Sequence, residues 1–347
     1  MSSWLKILAD SISDPADLPK SFRVDRGALS EVAATYPMRI NPYFLKLIKN
    51  QGDPLWRQAV PDELELKDRV CPEDPLGEEA LSRVPNLIHK YPDRALFLVN
   101  SSCAMYCRFC TRKRKVGTER LKITPDTMRA AFGYLEKTPA IRDVLISGGD
   151  PLLLDDDRLE WILTELRKIP SIKIIRIGSR VPCTLPMRVT VRLAGMLKKF
   201  HPLYLNTHFN HPDEITPEAA AACGRLADAG IPLGCQTVLL KGVNNDAVII
   251  GKLMNSLLQI RVKPYYIFQG DMSKGTDHFR TKVDEGLEIM RSLIGHTSGM
   301  AVPRFAVDLP GGHGKVPLLP DYSMDKENSA LTFKNYLGQP CSYLDPA

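Results

Sequence analysis

Short apolar runs separated by amphipathic stretches dominate the chain from Arg94 onward. Ala95–Val99, Val144–Ile146, Ile172–Ile177, Leu203–Thr207, Leu233–Leu239 and Lys263–Ile267 read as strands. Between them, Leu159, Ile162, Leu163, Leu166 and Ile169 recur on one face at helical spacing. A later helix is predicted to open with Thr216 as N-cap and Pro217 at its first helical position, and to close at Gly230. Six strand-then-helix units in succession predict an α/β fold with a parallel sheet and helical crossovers. Periodicity alone does not separate an open doubly wound sheet from a barrel. In either, ligands gather at the carboxyl ends of the strands. The first part of the chain has a different pattern, with helical patches such as Asn41–Ile48 broken by prolines. It predicts a helical N-terminal region over residues 1–90, a core over 91–310 and a C-terminal extension over 311–347.

Composition adds limits. With 347 residues and 44% hydrophobic content the chain is long enough for one large core. Lysine and arginine exceed aspartate and glutamate by six, a mild excess with no broad basic stripe, so no nucleic-acid partner is expected. The densest basic cluster, Arg112-Lys113-Arg114-Lys115, fits a local site for anionic groups of a small molecule. No window reaches the ~20 apolar residues of a membrane span, and the start lacks the apolar core of a signal peptide. The expected location is cytoplasmic, where thiols stay reduced.

The thiols carry the chemistry. Cys103, Cys107 and Cys110 stand in the order Cys-Ala-Met-Tyr-Cys-Arg-Phe-Cys, directly after the first predicted strand. Three thiolates on one loop can hold three irons of a [4Fe-4S] cube and leave the fourth to a chelating small molecule. A structural zinc site takes four ligands in close pairs, whereas Cys71 and Cys183 are lone and distant in sequence. A non-enzymatic iron–sulfur or zinc protein is the contrasting reading. Ser147-Gly148-Gly149-Asp150 follows the second predicted strand and on its own is a turn. Near the end stands Pro310-Gly-Gly-His-Gly-Lys315, which is not a phosphate-binding P-loop because Val316 replaces the required hydroxyl. Asp271 and Asp308, taken alone, read as turn or cap residues.

The cysteine spacing, with Phe109 before the last cysteine, resembles the radical S-adenosylmethionine (SAM) enzymes, and cleavage of SAM would separate such an enzyme from a non-enzymatic metal protein. Tyr91-Pro-Asp-Arg94, Cys103–Arg114, Ser147–Leu152, Asp271-Met-Ser273, His278–Thr281, Gly295–Gly299 and Pro310–Lys315 together resemble one subfamily in order, the lysine 2,3-aminomutases, over roughly residues 36–323. The resemblance implies a partial (β/α)6 barrel, a [4Fe-4S] cluster on the three cysteines, SAM, and pyridoxal phosphate (PLP) held as a Schiff base on Lys315 in a glycine-rich loop. It implies that Phe109, Ser147, Gly148, Gly149, Asp150, His208 and Gln236 line the SAM side. Arg94 would grip the PLP phosphate, Tyr91 would lie against its ring, and Arg112 would take the substrate carboxylate. Asp271 and Asp308 would meet the ε-ammonium of L-lysine, where related glutamate mutases place a Lys and an Asn. The reaction implied is interconversion of L-lysine and β-lysine, driven by a reducing electron donor. The long zinc-binding tail of clostridial relatives is missing, with Cys341 alone there, so no zinc is expected and a homo-oligomer is left open. The alternatives are a role in β-lysylation of elongation factor P, and a 2,3-aminomutase for glutamate or arginine.

Overall fold

The computed structural model describes residues 3–327 and 330–344. Ten strands form one sheet in sequence order: β1 (Ser82–Val84), β2 (Leu87–Tyr91), β3 (Arg94–Asn100), β4 (Asp143–Gly148), β5 (Ile174–Gly178), β6 (Leu203–Thr207), β7 (Leu233–Leu239), β8 (Lys263–Gln269), β9 (Arg304–Leu309) and β10 (Gly314–Leu318). β3 to β9 run parallel, while β1 and β2 precede them, and β10 follows, as antiparallel neighbours. Helices connect the parallel strands, among them Pro125–Glu136, Asp156–Lys168, Pro217–Asp228, Ala247–Gln259 and Val283–Leu293. The six expected βα units are therefore present, followed by a seventh parallel strand. β9 escaped the pattern because only Phe305 and Ala306 of it are buried, too short an apolar run to read as a strand.

Alternation along the strands decides what the sheet encloses. Val144 and Ile146, Ile175 and Ile177, and Leu203 and Leu205 are buried, as amphipathic strands under helices must be. Their alternates Leu145, Ser147, Arg176, Asn206 and Gln236 are only half-buried, and Arg176 bonds Asp143 of the next strand at 2.8 Å. A filled barrel packs bulky layers on this face; here it is polar and open enough to hold ligands. The sheet curls until its ends meet through loops and side chains. The Lys315 backbone N–H on β10 donates to the Tyr91 hydroxyl on β2 at 3.1 Å, and Gly311 N–H donates to Pro75 O at 2.7 Å.

Two expectations need correction. The N-terminal region is helical through Leu64–Lys67, but residues 82–91 form the β1–β2 hairpin, turning at Asn86 with φ of 67°. Lys315 lies on strand β10, paired with Asp308 in the β9 register, and the glycine-rich loop only precedes it. The C-terminal residues add a separate antiparallel sheet, β11 (Ser323–Glu327), β12 (Ala330–Lys334) and β13 (Pro340–Leu344). The N-terminal helices share the barrel's core, with Phe44 and Trp56 in the same apolar cluster as Val144 and Leu205. Among the described residues no helix is long and apolar enough to cross a membrane.

Candidate active site

The cysteine loop begins where β3 ends and is tied to the end of β4. Gly149 N–H donates to Asn100 O at 2.5 Å and Asp150 N–H to Ser102 O at 2.8 Å. Asn100 Nδ2 returns bonds to Ser102 O and Asp150 O at 3.0 and 2.7 Å. Such an approach needs glycine. A Cβ on Gly148, whose φ is +128°, would strike Asn100 O, and one on Gly149 would strike Ser102 O and N. From the other side, Arg39 Nη1 bonds Ser102 Oγ at 2.6 Å and Cys103 O at 3.3 Å.

Beneath the loop lies a buried ion triad. Arg108 donates to Glu65 at 2.9 and 2.5 Å, and Lys113 donates to Glu65 at 2.8 Å, Arg108 O at 2.9 Å and Gly275 O at 3.0 Å. The cysteine loop is thereby pinned to the N-terminal helix Leu64–Lys67 and to the loop after β8.

Cys103, Cys107 and Cys110 line one cavity together with Tyr36, Tyr106 and Lys113. Burial, then the Asp150 carboxylate and the neighbouring cysteines, push the Cys103 thiol well up, and burial with Cys107 pushes Cys110 up to about 11. Bound iron removes such a conflict, because a coordinated thiol is deprotonated outright. Among the described residues no three His, Cys, Asp or Glu side chains converge on one ion-sized point. A cube needs a different arrangement, thiolates on separate irons around a larger body. Three cysteines on one cavity fit it, and one guanidinium and one backbone N–H donor stand beside them. Arg180 Nη1 lies 2.8 Å from Cys107 Sγ, and Arg112 N–H donates to Cys110 Sγ at 3.4 Å.

The residues expected on the SAM side fall into distinct environments. His208 stacks on Phe109 with centroids 5.4 Å apart, and Arg180 caps the Phe109 ring at 5.1 Å. Burial, with the Arg180 charge adding to it, lowers the His208 pKa to about 3, so its imidazole is neutral at ordinary pH. Its Nε2 meets Asn210 Oδ1 at 2.9 Å. Ser147 and Gln236 lie on the half-open face of the sheet. Asp150 is buried, and its carboxylate accepts from Ser179 Oγ at 2.7 Å and from the N–H groups of Arg180, Val181 and Leu152 at 2.8–3.1 Å. Those bonds occupy it in joining β4 to the loop after β5, so it shapes the site rather than facing a ligand.

Sequence reasoning missed Arg180 and the polar cluster behind it, Gln58, Asn210 and Glu214, all three fully buried. The available signal was position: Gly178-Ser179-Arg180 stands at the carboxyl end of β5, where a barrel collects function.

A second constellation forms where the ends of the sheet meet. Lys315 Nζ lies 2.7 Å from Asp308 Oδ2 and 5.2 Å from the Phe268 ring centroid, and Lys90 Nζ lies 3.6 Å from Asp308 Oδ1. Burial, then the Asp308 charge, raises Asp271 to about 7, against the pull of Lys315, Lys90 and Arg112. The Arg94 guanidinium lies over the Tyr91 ring at 4.0 Å and bonds Asp93 at 2.9 Å. Tyr91, Arg94, Lys315, Asp308 and Asp271 are thus brought together. A primary amine among carboxylates, an aromatic ring and a half-exposed guanidinium suit an aldehyde cofactor that bears a phosphate. Arg112 is partly engaged: Glu78, itself buried, takes its Nε and Nη2 at 2.6–3.0 Å. Only the Nη1 edge of the fork is without a hydrogen bond among the described residues.

Comparison with known proteins identifies the family. The family model "Radical SAM superfamily" matches residues 98–249 and "Lysine-2,3-aminomutase" matches residues 290–347. The L-lysine 2,3-aminomutase of Acetoanaerobium sticklandii is 51% identical over 315 residues, 90% of this chain and 76% of that one. That of Methanococcus maripaludis is 47% identical over 98% of this chain and 81% of its own. The glutamate 2,3-aminomutase of Clostridioides difficile is 44% identical over 96% and 80%. At this identity over nearly the whole length, the chain belongs to the lysine 2,3-aminomutase family of radical SAM enzymes, isomerases that use SAM, a [4Fe-4S] cluster and a reductant on a small amino acid.

Proposed function

We propose that this enzyme interconverts L-lysine and β-lysine, with PLP as its second cofactor. The observation that carries the substrate assignment is the Lys315 ammonium seated 2.7 Å from Asp308, with Asp271 raised to about 7 beside it. A pocket that accepts one alkylammonium in this way suits another, the distal ammonium of lysine, and would repel the side-chain carboxylate of glutamate.

When bound, SAM and the cluster would supply the chemistry of hydrogen abstraction, and PLP would supply a conjugated ring able to delocalise an unpaired electron during migration of the amino group. The protein's own residues do the rest. Cys103, Cys107 and Cys110 would hold the cluster. Phe109, whose apolar cluster packs against Cys107, and His208 form a stacked aromatic wall. Gly148 and Gly149 let the end of β4 approach the cysteine loop without a side chain between them. Lys315 would carry PLP, Tyr91 would flank its ring and Arg94 would meet its phosphate. Glu78 holds one edge of Arg112, which leaves Nη1 for the substrate carboxylate. Asp271 and Asp308 would then fix the far end of the substrate, so that binding energy positions the β-carbon.

The test is anaerobic incubation with SAM, PLP and reductant against lysine, arginine, glutamate and alanine, with identification of the amino acid formed. β-Lysine from lysine alone is expected. Conversion of glutamate would overturn the substrate assignment, and activity confined to elongation factor P would move the enzyme to protein modification. Replacing Asp271 or Asp308 by Asn is expected to lower kcat/KM for lysine by one to two powers of ten, the equivalent of roughly 1.5–3 kcal/mol for a charge-assisted contact. An analogue without the distal charge should lose much less.

A further inference from the structure

We propose that Glu214, together with Gln58, is a positioning residue for the iron–sulfur cluster: it holds the Arg180 guanidinium against the Cys107 sulfur and thereby raises the potential at which the cluster accepts its electron. The inference rests on the reading that Cys103, Cys107 and Cys110 carry that cluster.

Arg180 is held at both ends. Its backbone N–H donates to Asp150 Oδ2 at 2.8 Å. Its Nη2 donates to Gln58 Oε1 at 2.6 Å and Glu214 Oε1 at 2.9 Å, and its Nη1 points to Cys107 Sγ at 2.8 Å. Glu214 is itself immobilised. One oxygen accepts from the N–H groups of Asn210 and His211 at 2.6 and 3.2 Å, and the other accepts from Gln58 Nε2 at 2.7 Å as well as from Arg180. Gln58, Asn210 and Glu214 are 0% exposed. In such a setting a guanidinium keeps one orientation, since any swing would break a buried charge pair.

The arrangement suits an anionic sulfur. Arg180 carries one positive charge, and Glu214 balances it on one side while a thiolate would face it on the other. Donation of N–H to a cluster sulfur, and positive charge near it, favour the form carrying one more electron. Glu214 by its own negative charge does the opposite. Its direct effect and its effect through Arg180 therefore differ in sign, and a single substitution separates them.

Glu214→Gln removes the charge but leaves one acceptor oxygen where the carboxylate offers two, so an amide NH2 must face donors on one side and the hold on Arg180 loosens. The measurement is a potentiometric titration of the anaerobically reconstituted protein, with an external reductant supplying the single electron, followed by absorbance and electron paramagnetic resonance. Iron and sulfide content are determined in parallel. Wild type, Glu214→Gln and the uncharged exchange Gln58→Met are expected to hold the same cluster content. Both variants should shift the midpoint potential downward and alter the resonance of the reduced cluster. In an Arg180→Leu background the downward shift from Glu214→Gln should vanish. An upward or absent shift in Glu214→Gln, or a downward shift that survives without Arg180, overturns the proposal. If Glu214→Gln does not fold, Gln58→Met decides alone, and an unchanged potential overturns it. Absence of a cluster from the wild-type protein would instead defeat the reading on which the inference rests.

Discussion

Asp271, raised to about 7 by burial and by Asp308, makes substrate binding depend on pH in a direction that can be worked out. Before substrate binds, with Lys315, Lys90 and Arg112 already near it, the carboxyl is about half protonated at pH 7. A bound alkylammonium favours the ionised form, so below pH 7 binding must release a proton. Lysine's own ammonium stays charged throughout this range. KM for lysine should therefore rise as pH falls below about 7, approaching tenfold per pH unit, and Asp271→Asn should flatten the profile. A flat wild-type profile between pH 5.5 and 8 would exclude Asp271 as an ammonium contact. The cysteines are tested at the same scale. Changing Cys103, Cys107 or Cys110 to Ala should abolish stable cluster content and SAM cleavage, whereas changing Cys71, Cys183, Cys223, Cys235 or Cys341 should leave the cluster complete. Anaerobic iron and sulfide analysis distinguishes the two groups.

Among the elements, the meeting of the cysteine loop with the end of β4 is the least tolerant of added volume. Gly149 donates to Asn100 O at 2.5 Å, and a methyl group there would strike Ser102 backbone atoms that cannot rotate away. Overpacking of this kind costs about 1–3 kcal/mol, small against a whole barrel but concentrated on the loop that carries the thiols. Gly149→Ala is expected to keep its circular dichroism spectrum and lose most of its reconstituted iron. Full cluster content in that variant would show that the loop can back away from β4.

For the whole molecule, the question is what joins the N-terminal helices to the barrel. Apolar packing does much of it, since Phe44, Trp56 and Val144 share one core. Glu65 adds a polar lock, at 1% exposure between Arg108 and Lys113. A buried ion pair contributes little beyond what an apolar cluster would, yet removing one partner strands the others. Glu65→Ala should cost on the order of 3–5 kcal/mol and lower the melting temperature. Replacing exposed Glu63, whose partner Lys67 is also exposed, should change it by less than about 1 kcal/mol. Thermal denaturation of the two variants makes the comparison.

Much of this was legible without coordinates because it is local. Alternation of apolar residues marks β6 and β7 to the residue, since a strand under helices must bury every second side chain. The cysteine triplet is as local, its ligands being seven residues apart at most. Asp271, Asp308 and Lys315 could be singled out in the sequence by resemblance, but not the ion pair that Lys90 on β2 makes with Asp308 on β9 when the sheet curls and its ends meet. Contacts between residues far apart in the chain have no sequence period. Glu78 on Arg112 and Glu65 under the cysteine loop are 34 and 43 residues from their partners, and Gln58 is 122 from Arg180. Each is an ordinary polar residue until the fold removes the water around it. Only the tertiary structure decided which charges face one another there, because burial makes an unpaired charge costly and so selects the partner.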